Sequence, residues 1–314
     1  MKCRVSFVIP CYNSENTIGN VVEEIMQVTK LNNEENFEII LVNDCSRDNV
    51  WNVIRELTEK YDNIKGISFA KNFGQHAALM AGYRASSGEI VVSLDDDGQT
   101  PADEVYSLIN KLDEDYDVVY ASYGQKKHSI FRNFGTVLNN FMCETLLGKE
   151  KGLVITSFFA ARRFVVEEMM RYEHSYPYVP GLVLRTTKRI TSVPVIHRER
   201  EVGASGYNLF KLIALWMNGF TAFSVVPLRI SMFMGLGCAG IGFIYLIYIL
   251  VNKFLNPQVP LGWSSTMAVV LLLGGMILCV LGMIGEYLGR AYINLNAAPQ
   301  YVIRETAGEK EENE

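Results

Sequence analysis

The sequence of 314 residues contains six cysteines but no closely spaced pair of them. No CxxC motif occurs, so the sequence gives no case for a zinc or thiol-redox site built on such a pair. We expect all six thiols to be reduced and mostly buried, where cysteine behaves as a small apolar residue. They are Cys3, Cys11, Cys45, Cys143, Cys238 and Cys279.

An excess of positive charge is also lacking. The 29 lysines and arginines are outnumbered by 34 aspartates and glutamates, which gives a net charge of −5. This composition offers no general case for nucleic-acid binding. No signal peptide is visible ahead of the first predicted strand, so we expect the N-terminal domain to remain in the cytoplasm.

Charge is absent altogether from two long apolar runs. The first run covers residues 230–251 and the second covers residues 265–285; they are 22 and 21 residues long, and neither contains a charged residue. A bilayer core requires about 20 apolar residues per helix, so the two runs predict a transmembrane hairpin. A pair of buried core helices is the alternative, although globular helices are seldom apolar all round over this length.

The charges that flank these runs predict their orientation. Lys253 alone lies in the link, whereas four cations lie on the terminal side: Lys211, Arg229, Arg290 and Arg304. This asymmetry places both termini and the first domain in the cytoplasm. An uncharged run before the hairpin, broken by glycine and proline, predicts helices that lie in the membrane interface. The predicted domains are 1–210 (catalytic), 211–228 (interfacial), 229–289 (hairpin) and 290–314 (cytoplasmic tail, with a solvated acidic end at 305–314).

Short apolar segments alternate with amphipathic segments through the first half of the chain. The apolar segments predict buried strands, and the intervening segments show helical spacing. This alternation is typical of an α/β fold with a mostly parallel sheet and helices on both faces. In such sheets ligands bind beyond the carboxyl ends of the strands. The candidate binding loops are therefore those that follow Pro10, Val42, Ala70 and Leu94.

Three consecutive carboxylates follow the last of these strands. Because Asp95, Asp96 and Asp97 repel one another, a cation is their natural partner, and Mg²⁺ binds one or two carboxylates together with substrate phosphates. We predict a site for Mg²⁺ or Mn²⁺ formed by Asp95, Asp97 and Gln99, with Asp97 as a catalytic residue. An acidic loop that caps the next helix is the alternative.

Polar residues also follow the first three strands. Tyr12 offers a ring that can stack on a flat base, and Asp44 offers a carboxylate that can accept from a base N–H. A simple turn leading into the next helix is the alternative for each loop. We predict that a nucleotide is held by these residues, namely Pro10, Tyr12, Asn13, Glu15, Asp44 and Lys71.

The loops PCYNSE, VNDCSRD and DDDGQ together resemble those of the family-2 glycosyltransferases of the GT-A fold. The chain is most similar to polyprenyl-phosphate glycosyltransferases, such as dolichol-phosphate mannose synthase and the bactoprenol glucosyl and aminoarabinosyl transferases. Other matching segments are KNFGQHAALMAGYRASSGEIVVSLDDDGQTP, YPYVPGLVL, RxxGxSGY and GEYLGRAY, so the resemblance covers nearly the whole chain. It implies a Rossmann-like sheet, a uridine or guanosine held by the first two loops, and a donor diphosphate near Asp95 and Asp96.

Some positions depart from the pattern of that family. Cys45 stands where glycine is usual, Asn43 where aspartate is common, and Gly98 where leucine is common. Ala298 replaces a frequent arginine, and Phe159 replaces a residue that is often polar or basic. These departures leave the reaction class intact but leave the identity of the sugar open.

Basic residues that follow the acidic loop in sequence are candidates for holding an acceptor phosphate, because a lipid phosphate needs cations beside it. Arg132 and Thr136 are four positions apart on a predicted helix and so share a face. The resemblance implies that they bind the lipid phosphate. A second set of candidates consists of Arg200, Ser205 and Tyr207. These residues lie in a glycine-bearing loop that is predicted to cover the phosphates of the donor and of the acceptor. Arg200 is also a predicted catalytic residue, and a solvated surface position is the alternative for both arginines.

Together these features predict a metal-dependent, inverting glycosyltransferase of a bacterial inner membrane. We expect it to move a sugar from UDP-glucose or another UDP-hexose to a polyprenyl phosphate, with UDP-aminoarabinose, UDP-N-acetylglucosamine and GDP-mannose as alternative donors. A processive polysaccharide synthase is disfavoured because the chain has no Arg-Trp pair. A non-catalytic nucleotide-binding membrane subunit is disfavoured by the intact acid cluster. We expect no nucleic-acid partner, and the resemblance implies a homo-oligomer.

Overall fold

The computed structural model describes residues 3–123, 152–195, 226–255, 262–296 and 298–308. Contacts divide the chain into two units, one formed by Met1–Asn208 with Ala297–Glu314 and the other by Leu209–Asn296. The predicted acceptor-side residues all lie outside the described residues, namely Arg132, Thr136, Arg200, Ser205 and Tyr207.

The described part of the first unit is built on one sheet of eight strands, in the order β7-β5-β6-β4-β1-β2-β3-β8. The strands are β1 (Val5–Cys11), β2 (Phe37–Asn43), β3 (Ile64–Phe69), β4 (Ile90–Ser93), β5 (Val118–Tyr123), β6 (Phe159–Arg162), β7 (Ile190–Val195) and β8 (Ile303–Ala307). The strands β3, β2, β1 and β4 form a continuous parallel block. Only β6 and β8 run against the direction of the other described strands. The predicted mostly parallel sheet is therefore confirmed.

Helices cover both faces of this sheet, as predicted. The described helices of the unit are α1 (Ile18–Leu31), α2 (Val50–Lys60), α3 (Gln75–Ala85), α4 (Val105–Leu112), α5 (Arg163–Met170) and α6 (Val179–Thr186), with a short 3₁₀ turn at Ala102–Glu104. On one face, Phe7 and Ile9 of β1 join a core cluster with residues of α1, α2 and α4. The opposite face of β1 and β2 packs against α3. Since successive side chains of a strand point to opposite faces, burial on both faces explains the continuous apolar runs of these strands.

Helix α1 shows how the sequence pattern sets the packing. Five of its apolar residues recur at helical spacing, and these five are buried. The buried apolar side chains are Ile18, Val21, Val22, Ile25 and Val28, the same stripe that the spacing predicts. The loop that enters α1 is thereby held at the carboxyl edge of β1, beside the candidate binding loops.

Gly82 brings α3 close to the sheet. A Cβ atom at this position would lie 2.3 Å from Cγ1 of Val8 and 3.3 Å from Cγ2 of Val42. We expect Gly82→Ala to destabilise the protein, because overpacking costs about 1–3 kcal/mol, whereas the better helix propensity of alanine returns at most about 1 kcal/mol. Thermal unfolding of the purified protein measures the effect.

Gly19 of α1 is the matched control, because nothing lies within 4 Å of a Cβ built there. Gly19→Ala is expected to leave the melting temperature unchanged or to raise it. A melting temperature of Gly82→Ala equal to that of the unchanged protein would show that α3 can move away from β1 at no cost.

The end of the chain returns to the sheet, which the sequence analysis did not predict. β8 pairs antiparallel with β3, and Tyr301 stacks on Phe69 with ring centroids 5.2 Å apart. Arg84 of α3 donates to Oε1 of Gln300 at 2.9 Å. Residues 305–307 of the predicted solvated tail lie in this strand. Their side chains are largely exposed, so this strand lacks the apolar pattern that marks the central strands.

The described part of the second unit consists of two long helices that contact each other, α7 (Val226–Leu255) and α8 (Trp263–Leu295). Among the described residues, the segment Leu272–Gly289 is long and apolar enough to cross a membrane, and a shorter apolar segment covers Met232–Tyr245. Many large apolar side chains of both helices are exposed. The two-span hairpin and the interfacial helices at 211–228 stay predictions.

Candidate functional site

The loop that contains Asp95, Asp96, Asp97 and Gln99, called the acid loop below, follows β4 at the carboxyl edge of the parallel block. It lies beside the loop that follows β1. The backbone N–H of Tyr12 donates to Oδ2 of Asp96 at 2.8 Å, and the hydroxyl of Thr17 donates to the carbonyl oxygen of Asp96 at 2.6 Å. Burial raises the pKa of Asp96, while the hydrogen bond from the N–H of Tyr12 acts in the opposite direction. Asp96 thus ties two candidate binding loops together.

Asp95 is held by two other segments of the chain. Nε2 of Gln75, at the start of α3, donates to Oδ1 at 2.9 Å, and the hydroxyl of Ser157 donates to Oδ2. Burial raises the pKa of Asp95 to about 6; the bond from Ser157 lowers it, and the negative charges of Asp97 and Asp96 raise it further. A carboxylate whose charge is so disfavoured has reason to bind a cation.

Asp97 and Gln99 form the other half of the loop. The backbone N–H of Gln99 donates to Oδ1 of Asp97 at 3.0 Å across a turn in which Gly98 has φ +72°. No group of three or more His, Cys, Asp or Glu side chains suited to a metal occurs within the described ranges. Two carboxylates and one amide oxygen, from Asp95, Asp97 and Gln99, are the oxygen ligands that a hard divalent cation prefers, and they fit an ion whose remaining ligands are phosphate oxygens and water.

The loops after β1 and β2 are locked together by reciprocal hydrogen bonds. The N–H of Asn13 donates to Oγ of Ser46 at 3.1 Å, and Oδ1 of Asn13 accepts from the N–H of Arg47 at 2.9 Å. Likewise, the N–H of Glu15 donates to Oδ2 of Asp48 at 2.9 Å, while Oε2 of Glu15 accepts from the N–H of Asn49 at 2.8 Å. Asn13 and Glu15 therefore shape this surface by bracing the two loops.

Tyr12 projects from the braced surface. Its side chain is 48% exposed although its backbone N–H is fixed by Asp96. An exposed ring on a fixed backbone can stack on a planar base without first being ordered. Pro10 is buried within β1, and Lys71 is exposed with its Nζ 4.8 Å from the ring centroid of Phe73.

Asp44 is turned toward the protein. Its two carboxylate oxygens accept from the N–H groups of Phe73 at 2.7 Å and Gly74 at 2.8 Å. Burial raises the pKa of Asp44, and these two backbone bonds lower it. Because Gly74 directly precedes α3, Asp44 fixes the start of the helix that presents Gln75. An ionised carboxylate has about four acceptor positions, so a contact of Asp44 with a base stays a prediction.

Cys45 occupies a backbone conformation that favours glycine. Its φ is +53°, in the left-handed region, at the position where the resembling family usually has glycine. That conformation costs a non-glycine residue about 1–2 kcal/mol, and part of the gain from glycine is lost to the entropy of the unfolded chain. We expect Cys45→Gly to raise the melting temperature by about 1–3 °C. A fall in the melting temperature would show that the contact of the thiol with the carbonyl of Ala70, at 3.9 Å, matters more than the strain.

Three residues that the sequence analysis did not single out as binding residues reach the acid loop. They are Gln75, Ser157 and Tyr123. Burial raises the pKa of Tyr123 to about 12; a bond with Thr100 lowers it, and the charges of Asp95 and Asp97 raise it further, so its hydroxyl stays protonated at neutral pH. Gln75 lies in KNFGQHAALMAGY, a segment already noted for family resemblance, and that resemblance was the available signal. Ser157 lies two positions before Phe159, which was noted only as a departure from the family pattern.

This sheet, with an acid loop after β4 beside the loops of β1 and β2, has the GT-A fold. The fold is shared with a solved structure, glucosyl-3-phosphoglycerate synthase from Mycobacterium tuberculosis in complex with Mn²⁺ and UDP-glucose. The TM-score is 0.53 at 19% sequence identity, over 70% of this chain and 77% of that one.

The family follows from the sequence comparisons. Residues 6–170 match the glycosyl transferase family 2 model, and residues 226–291 match the GtrB C-terminal hairpin model. The chain is 33% identical to the uncharacterized glycosyltransferase YkcC of Bacillus subtilis (strain 168), over 96% of this chain and 94% of that protein. It is 32% identical to undecaprenyl-phosphate 4-deoxy-4-formamido-L-arabinose transferase of Yersinia pestis (strain Pestoides F), over 99% and 96%. The chain belongs to glycosyltransferase family 2, as the sequence motifs predicted.

Proposed function

We propose that the protein transfers a sugar from a UDP-sugar to a polyprenyl phosphate, with inversion at the anomeric carbon. The observation that carries this proposal is the convergence of Asp95, Asp97 and the exposed Tyr12 at one edge of the sheet. The full-length similarity to an undecaprenyl-phosphate sugar transferase supports the acceptor class.

The donor is placed by the loops after β1 and β4. The ring of Tyr12 stacks on the uracil, and the braced loops of Asn13 and Glu15 keep that ring in position. Other proposed contacts of the donor are Lys71, Pro10 and Asp44. Asp44 would use the acceptor positions of its carboxylate that the backbone N–H groups leave free. The diphosphate lies against the acid loop, where Asp96 holds the loop to Tyr12.

Asp95, Asp97 and Gln99 hold the divalent cation in this proposal. Mn²⁺ accompanies UDP-glucose in the Mycobacterium tuberculosis structure, which supports a cation at the corresponding edge of the fold. When bound, the cation supplies charge neutralisation for the departing diphosphate. The partly buried setting strengthens that interaction, because charges interact more strongly where water is excluded.

The acceptor needs orientation more than deprotonation. A phosphate monoester is already ionised at neutral pH, so no strong general base is required, in contrast to a sugar hydroxyl. Arg132, Thr136 and the loop of Arg200, Ser205 and Tyr207 hold the lipid phosphate behind the anomeric carbon. Placing the two reactants in line accounts for much of the rate enhancement, and direct displacement inverts the anomeric carbon.

The membrane supplies the acceptor. The apolar helix at Leu272–Gly289 and the match to the GtrB C-terminal hairpin support an integral membrane protein. The charges that flank the apolar runs are the reason for proposing that the first unit is cytoplasmic. The proposed topology is the two-span hairpin with interfacial helices before it, in a bacterial inner membrane. Homo-oligomer formation is part of the same proposal.

The family resemblance and the sequence comparison favour different donor sugars. UDP-glucose is the donor that the family resemblance favours, whereas the relative from Yersinia pestis transfers 4-deoxy-4-formamido-L-arabinose. The alternative donors are UDP-aminoarabinose, UDP-N-acetylglucosamine and GDP-mannose.

A donor panel tests the proposal. Membranes containing the protein are incubated with undecaprenyl phosphate and one labelled nucleotide sugar at a time, and the lipid products are separated by chromatography. We expect one UDP-sugar to give a labelled lipid whose sugar is linked through a phosphate and inverted. Donor binding without any lipid product would instead favour a non-catalytic nucleotide-binding subunit.

A further inference from the structure

The carboxylate of Asp95 is held at both oxygens by neutral donors from distant parts of the chain. Nε2 of Gln75 donates to Oδ1 at 2.9 Å, and the hydroxyl of Ser157 donates to Oδ2. Gln75 is the first residue of α3, and Ser157 lies in the segment that leads into β6. Two separate elements thus meet at one carboxylate of the acid loop.

Two bonds to different oxygens fix the plane of the carboxylate. The terminal torsion of an aspartate side chain is broad, so one bond alone leaves the group free to turn. Each oxygen retains a further acceptor position, and the two bonds decide where those positions point. A small divalent ion is sensitive to this direction, because Mg²⁺ requires near-ideal geometry at about 2.0–2.1 Å.

The support of these donors is itself built into the fold. Asp44 holds the N–H of Gly74 at 2.8 Å, immediately before Gln75. Thr156, next to Ser157, donates to the carbonyl oxygen of Ala121 in β5 at 2.9 Å. The two donors therefore reach Asp95 from backbone that is already fixed, which is the requirement for orienting a metal ligand.

We propose that Gln75 and Ser157 are positioning residues that orient Asp95 for cation binding. The inference rests on the proposed function, which assigns Asp95 to the cation site. Neither residue touches the cation in this assignment; each acts through the carboxylate. Loss of such a partner lowers metal affinity by about 10–100-fold in metalloproteins.

Binding of Mn²⁺ alone to the full-length protein in detergent, measured by electron paramagnetic resonance titration, tests this role. Gln75→Leu and Ser157→Ala are each expected to raise the Kd for Mn²⁺ by about 10–100-fold. Ser157→Thr keeps the hydroxyl and is expected to restore affinity. Gln27→Leu, the same change at an exposed position of α1, is the matched control and is expected to bind like the unchanged protein.

The aspartate variants separate the two levels of the proposal. If Asp95→Ala and Asp97→Ala abolish Mn²⁺ binding while Gln75→Leu and Ser157→Ala bind normally, the positioning role is wrong and the cation site stands. If both aspartate variants bind Mn²⁺ as tightly as the unchanged protein, the cation site itself is wrong, and the positioning role is wrong with it.

Discussion

Replacing Asp97 by alanine is expected to reduce sugar transfer by at least about a thousand-fold, which corresponds to about 4 kcal/mol of lost transition-state stabilisation. Asp97 is a proposed cation ligand, and its carboxylate is otherwise engaged by the neighbouring N–H of Gln99 at 3.0 Å. Truncation removes this local bond and leaves the sheet unaltered. The rate of lipid-product formation at saturating donor is the measurement.

The control for this prediction is another aspartate. Asp113→Ala, at the exposed end of α4, removes the same charge far from the acid loop in sequence and is expected to keep full activity. Equal melting temperatures for the two variants would show that Asp97→Ala folds. Transfer by Asp97→Ala at a rate close to that of the unchanged protein would refute the proposed role of this carboxylate.

Replacing Tyr12 by alanine is expected to raise the KM for the donor by about 5–150-fold, because stacking of a base on an aromatic ring contributes about 1–3 kcal/mol. Tyr12 is 48% exposed, while its backbone N–H donates to Asp96 at 2.8 Å. The substitution therefore removes the stacking surface and keeps the loop. Steady-state kinetics with the donor varied measure the effect.

Tyr12→Phe separates stacking from hydrogen bonding. It retains the flat ring, so we expect its donor KM to stay near that of the unchanged protein, with kcat little changed in either variant. If Tyr12→Ala has the same donor KM as the unchanged protein, the base lies elsewhere and the role of the β1 loop must be reassigned.

The parts of the site that could be predicted from sequence are those governed by strand ends. Asp95, Asp97 and Tyr12 follow buried strands, and parallel strands bring their carboxyl ends to one edge. Gln75 and Ser157 lie on other elements, and only the three-dimensional arrangement brings them to Asp95. Pairing across such sequence distances leaves no periodic signal.

Polar residues after a strand have more than one use, and this limits what sequence can assign. Asp44 was predicted to accept a hydrogen bond from a nucleotide base, yet both of its carboxylate oxygens accept from backbone N–H groups that precede α3. Asn13 and Glu15 were predicted to contact the donor, and in the structure they brace neighbouring loops. The residue type fixes the hydrogen-bonding capacity, but the partner depends on how the loops fold.

Family resemblance supplied information that periodicity could not. Cys45 was noted because it stands where glycine is usual, and its φ of +53° gives the physical reason. Neither periodicity nor family resemblance predicted the edge strand β8. Its exposed residues show no apolar alternation, and the tail contains no marked motif.

Removal of divalent cations is the most direct test of the proposed function. The purified protein is treated with excess chelator, and transfer from the best UDP-sugar to undecaprenyl phosphate is measured before and after Mn²⁺ or Mg²⁺ is returned. We predict that transfer stops with the chelator and is restored by either cation in the unchanged protein, but not in Asp97→Ala. Undiminished transfer in the presence of excess chelator would contradict the proposal that Asp95 and Asp97 act by holding a cation.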